Sequence, residues 1–102
     1  MSKIKEISIN EFKNDFGKLE GKSVCVDIKG DINLLRVIQD FDVFQDENNI
    51  TLSDYNDESQ IKIRKSAITC IVQDDRISSI KTANIFLKNG LEINLQGDVE
   101  NE

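Results

Sequence analysis

Lys62, Arg64 and Lys65 place three cations within four residues, and Arg76 adds a fourth further along the chain. Cations gathered on one surface displace the counterions of a phosphate backbone, and an aromatic ring beside them offers a plane on which a base can stack. Phe44 and Tyr55 are the candidate rings, so Phe44, Lys62, Arg64 and Lys65 make up a candidate RNA-binding set. An ordinary solvated strand face is the competing reading, and a net charge of −6 weighs on its side.

The acids are grouped as well. Residues 40–59 hold Asp40, Asp42, Asp46, Glu47, Asp54, Asp57 and Glu58 with no Lys or Arg, a net of −7. Asp46, Glu47, Asp57 and Glu58 are a candidate acidic interaction surface. On a small protein such a surface can imitate nucleic acid and block an enzyme that works on it, as several phage inhibitors do. Residues 60–90 carry six bases against two acids, a net of +4, so the chain is two-signed. A two-signed surface favours self-association, one subunit's acidic edge meeting the next one's basic edge.

Catalytic chemistry finds little support. The chain has no His, the side chain most used for proton transfer near neutral pH and for binding transition metals. Asp54, Asn56 and Glu58 alternate as calcium ligands do, but no Gly follows where the loop requires one. There is no Gly-rich phosphate loop and no nucleophile elbow. No catalytic residue, metal or cofactor is therefore expected. Cys25 and Cys70 are far apart without C-x-x-C spacing and read as two buried thiols inside strands.

The elements that must position these residues come from periodicity. At 102 residues with 6% aromatics, the chain predicts one domain whose core rests on Ile, Leu and Val. Ser8, with Glu11 three residues on, predicts a capping box opening an amphipathic helix over 8–19, with Ile9, Phe12, Phe16 and Leu19 on one face. A strand over 23–28 follows, with Val24, Val26 and Ile28 on one face. Residues 32–44 fit two periods: Leu35, Val37, Phe41 and Val43 share a strand face, while Leu34, Leu35, Ile38 and Phe41 form a helical stripe. The clustering of Val, Ile and Phe favours the strand. Ile50-Thr51-Leu52 is a short strand, and Asp54 to Gln60 a polar loop.

Strands 61–65 and 67–73 are split by Lys65-Ser66-Ala67, the sharp bend by which a small barrel turns a corner. Asn89-Gly90 predicts a two-residue hairpin turn joining 84–88 to 91–95, with Phe86 opposite Ile93 and Ile85 opposite Asn94. The fold expected is mainly β: a small SH3/Sm-like barrel over 23–73 with an N-terminal helix and a C-terminal hairpin extension.

Helix 8–19, strand 23–28, Phe41-Asp42-Val43-Phe44, Ile50-Thr51-Leu52-Ser53-Asp54 and Lys65-Ser66-Ala67-Ile68-Thr69 follow the order seen in Sm-like proteins. Over residues 8–73 the chain resembles the Hfq type of small β-barrel, a ring of strand-paired subunits that binds RNA. The resemblance implies that Phe44 stacks on a base and Lys65 contacts RNA. Ser66 stands where that family has its histidine, and Val43 where it has its base-contacting glutamine.

The sequence thus points to a non-enzymatic binding module that acts through protein contacts and self-associates. An RNA-binding ring is the alternative, and an acidic inhibitor of a nucleic-acid enzyme the second alternative. The first residues lack a signal-peptide run and no segment reaches the length of a membrane span, so a cytoplasmic protein is expected, with no membrane partner.

Overall fold

The computed structural model describes residues 4–55, 59–76 and 79–98. One helix, α1 (Ile9–Phe16), lies among nine strands: β1 (Ile4–Ile7), β2 (Val24–Lys29), β3 (Leu34–Ile38), β4 (Phe41–Gln45), β5 (Asn49–Asp54), β6 (Ser59–Arg64), β7 (Ile68–Asp74), β8 (Ile80–Leu87) and β9 (Glu92–Asp98).

The predicted capping box opens the helix. The Ser8 amide donates to Glu11 Oε1 at 2.9 Å, and the Glu11 amide donates to Ser8 Oγ at 3.1 Å. After Phe16 the helix tightens into a 3-10 turn over Gly17–Leu19, which keeps Leu19 in line with Phe12 and Phe16. All three are fully buried, and the Phe16 ring meets Phe41 edge-on at 6.4 Å between centroids. Burial of this stripe, more than the propensity of eight residues, stabilises so short a helix.

The strands form two antiparallel sheets, a six-stranded one in the order β1-β7-β8-β9-β2-β3 and a three-stranded one in the order β4-β5-β6. The first contributes Val24, Val26, Ile71, Ala83, Ile85, Ile93 and Leu95 to the core, the second Phe41, Val43, Ile50, Leu52 and Ile63. A mainly β fold is therefore present, but the sheets do not close into a barrel.

Two features keep them apart. The chain leaves the large sheet at Ile38, bends at Gln39-Asp40 and enters the small sheet at Phe41. Buried Asp54 holds that bend, accepting from the Gln39 amide at 3.1 Å. In addition, the C-terminal hairpin is no extension. Strands β8 and β9 fill the gap between β7 and β2, at the centre of the large sheet.

Within 32–44 the chain forms strand and not helix, but as two strands, Leu34–Ile38 and the start of Phe41–Gln45, parted by the bend at 39–40. Leu35 and Val37 are exposed while Phe41 and Val43 are buried, because the bend moves them into different sheets. The hairpin register also differs from expectation. Gly90, at φ +90°, closes a three-residue loop with Lys88 and Asn89, and its amide donates to Leu87 O at 3.1 Å. A left-handed glycine after the turn is the usual way to close a three-residue hairpin. The extra loop residue pairs Ile85 with Ile93 and Phe86 with Glu92. Since a slip of one residue exchanges faces, Ile85 and Ile93 are core residues and Phe86 lies outside. Lys65–Ala67 forms the expected break, a 3-10 turn between β6 and β7.

The thiols are not both buried. Val24 and Val26 take the inner face of β2, so Cys25 points outward and is exposed; Cys70, opposite Phe86, is half-buried, and both are free.

Candidate interaction surfaces

The outer face of the small sheet carries the cationic and aromatic candidates. Phe44 on β4 lies opposite Thr51 on β5, and Thr51 lies opposite Lys62 on β6, so the three form one row across the sheet. Arg64 begins the next row, opposite Asn49. The alternation of β6 forces this, because Ile61 and Ile63 take the inner positions. Lys65 follows in the 3-10 turn, its amide donating to Asn48 O at 2.8 Å. An open groove of about 580 Å³ is lined by Glu47, Asn48, Asn49, Arg64, Lys65 and Ser66. Tyr55 stands at the far end of the same sheet, beside a second hollow of about 420 Å³ that it shares with Phe44, Ser53, Asp54 and Gln60.

Acids are interleaved with these groups. Tyr55 Oη donates to Asp42 Oδ2 at 2.9 Å, and this bond to a carboxylate holds the phenol above its usual pKa. Asp46 Oδ1 accepts from the Asn48 and Asn49 amides, both at 2.8 Å. Those amide bonds hold the Asp46 carboxyl below the usual range, with Lys62 nearby adding to the effect. Asp46 is thus committed to its own turn, and Glu47 shares the groove with Arg64 and Lys65. Of the acidic set expected from sequence, Asp57 and Glu58 lie outside the described residues.

The most exposed apolar surface is elsewhere. Among the described residues, strand β3 is an edge of the large sheet, paired only with β2. On this strand and the turn before it, Ile32, Leu34, Leu35 and Val37 are 83%, 58%, 69% and 50% exposed. Leu35 and Val37 lie on the outward face, opposite Asp27 and Cys25. Leu34, opposite Ile28, has inward parity, yet it sits near the hairpin turn where little core remains to cover it.

The other edges carry charge. Strand β1 has Lys5 and Glu6 side by side, β4 has Asp42, and β6 has Lys62 and Arg64. Charged side chains on an edge discourage another strand from pairing with it. On β3 the sole charge is Arg36, half-buried with the inward parity of Val26. Nothing on its outward face guards this edge.

Sequence reasoning missed the β3 edge. Leu34-Leu35 and Val37-Ile38 are apolar at both parities, a pattern that reads as a strand buried on both faces. The same composition serves an edge that another chain covers.

The centre of the large sheet's outer face is polar by comparison, with Asn94 donating to Asn84 Oδ1 across β8 and β9. Among the described residues, no group of three or more Cys, Asp or Glu side chains converges to hold a metal ion, and no helix is long and apolar enough to cross a membrane.

These elements define an antiparallel two-sheet β protein with an unguarded apolar edge. No protein-family model, curated protein or solved structure matches the chain.

Proposed function

We propose that this protein is a non-enzymatic binding module that acts through protein contacts, accepting an extended strand of its partner at the β3 edge. The observation that carries this reading is the exposure of Leu34, Leu35 and Val37 on a strand that, among the described residues, pairs on one side. Backbone groups on such an edge supply hydrogen bonds to an added strand, and alternate side chains select its sequence. Panning displayed random twelve-residue peptides against the protein tests it. Apolar, β-prone sequences are expected to be enriched, and their binding to be lost in the Leu35→Lys, Val37→Lys double variant. Binders indifferent to that variant refute the reading.

A second reading, RNA binding on the small sheet, is favoured by one observation: the row Phe44–Thr51–Lys62, with Arg64 beside it. Asp42, Asp46 and Glu47 in the same region oppose phosphate, which places it second. Its test is filter binding of single-stranded RNA at two salt concentrations. The reading requires that Lys62→Ala with Arg64→Ala weaken binding and flatten its salt dependence. The Sm-like resemblance and its ring rest with this second reading.

A further inference from the structure

We propose that the occupant of the β3 edge is the same edge of a second copy of this chain, paired antiparallel about a two-fold axis at Leu35. Two six-stranded sheets would then join into one continuous sheet. This inference rests on the reading of β3 as a protein-binding edge and names its partner.

The charges on the other edges choose the occupant. On the outward faces of β1, β4 and β6 a neighbour would bring Glu6, Asp42, Lys62 and Arg64 to this edge, and Leu35 and Val37 offer those charges no opposite charge as they lose water. Pairing it with itself keeps charge off the outward face, because Arg36 has inward parity and Leu35 and Val37 are the outward side chains of the strand. An edge that recognises itself gives a closed two-fold dimer, whereas unlike edges give rings or open chains.

The pleat then restricts the axis. Residues directly opposite in an antiparallel pair lie on one face, so a two-fold self-pairing must set some residue against its own copy. An axis at Arg36 would oppose two guanidiniums, which is unfavourable for a directly facing pair. An axis at Val37 would draw the bend at Gln39 into the ladder and leave Ile32 and Leu34 uncovered. With the axis at Leu35, Leu35 meets Leu35 of the second copy and Leu34 meets Arg36. Val37 meets Asn33, and Ile32 comes beside Ile38. This arrangement covers Leu34, Leu35 and Val37 and centres the pairing within the strand. An interface built on one five-residue strand from each copy falls at the low end of specific interfaces, so the dimer is weak and concentration-dependent.

Sedimentation velocity from low micromolar to near-millimolar protein tests this. The wild-type mass is expected to rise from monomer to dimer. Leu35→Lys, at an exposed position that leaves the core intact, is expected to weaken the dimer by more than about tenfold. In a Cys25→Ser, Cys70→Ser background, Leu35→Cys is expected to give an interchain disulfide under mild oxidation, whereas Val37→Cys is not. A monomer throughout overturns the proposal. So does a dimer that Leu35→Lys leaves intact, or one that cross-links through Val37→Cys and not Leu35→Cys. A monomer whose β3 still binds displayed peptides removes self-pairing alone; one that binds none removes the strand-accepting edge as well.

Discussion

Truncating Ile85 to Ala measures how far the C-terminal hairpin belongs to the core. Ile85 is fully buried on β8 and lies between Ile71 on β7 and Ile93 on β9. The change removes three carbons, worth about 0.8 kcal/mol each in transfer from water. A residual cavity between two flanking strands adds to this, giving a loss of about 3–4 kcal/mol. A domain of this size is stable by about 5–15 kcal/mol, so a large share would go. At about 4–8 °C per kcal/mol, Tm would fall by roughly 12–30 °C. Urea unfolding followed by far-UV circular dichroism reads the loss directly. Phe86→Ala, one residue along and facing outward, is the control and should cost about 1 kcal/mol. A cost for Ile85→Ala below about 1 kcal/mol would refute the reasoning. So would a two-step transition in which the hairpin leaves first, because either would make β8–β9 an appendage and not the centre of the sheet.

Two further outcomes follow from the same structure. A Cβ on Gly97 would stand 2.6 Å from Leu19 Cδ1 and 3.2 Å from Val24 Cγ2. Both neighbours are fully buried, so Gly97→Ala should cost about 1–3 kcal/mol in urea unfolding despite the lower chain entropy of Ala. Gly30→Ala meets the half-buried Leu91, which can swing outward, and should cost less; the reverse order would refute the packing argument. Tyr55 is the one tyrosine in a chain without Trp, so its ultraviolet titration is read without interference. Its pKa is raised by the bond to Asp42, so that bond stabilises the fold below the ordinary tyrosine value of about 10 and the contribution is lost as pH rises through the higher folded value. The midpoint should lie above about 10 and fall in Asp42→Asn; an unchanged midpoint in that variant would contradict the assignment.

What could be read from the sequence was what local chemistry determines. The capping box at Ser8 and Glu11, the Phe12–Phe16–Leu19 stripe, the strand at Val24–Ile28 and the break at Lys65–Ala67 each depend on a few neighbouring residues. The shared face of Lys62 and Arg64 was legible too, because strict alternation in β6 sends Ile61 and Ile63 inward. The rest depended on pairings distant in sequence. Asn89-Gly90 announces a turn, but one residue more in the loop exchanges every face of the hairpin. Leu34 to Ile38 looks like buried strand because composition does not distinguish a surface covered by its own fold from one left for another chain. Strand β1 has only Ile7 buried, too little for periodicity to detect. Closure into a barrel failed as an expectation because nothing local reveals that β8 and β9 insert between β7 and β2.

Amide hydrogen exchange across a protein concentration series tests the central claim most directly. If β3 is an edge that accepts a strand from another chain, the outward amides within residues 34–38 gain protection as concentration rises or when a selected peptide is added, while those of the charged β6 edge do not change. Equal exchange at both edges, unchanged by concentration and by peptide, would contradict the account.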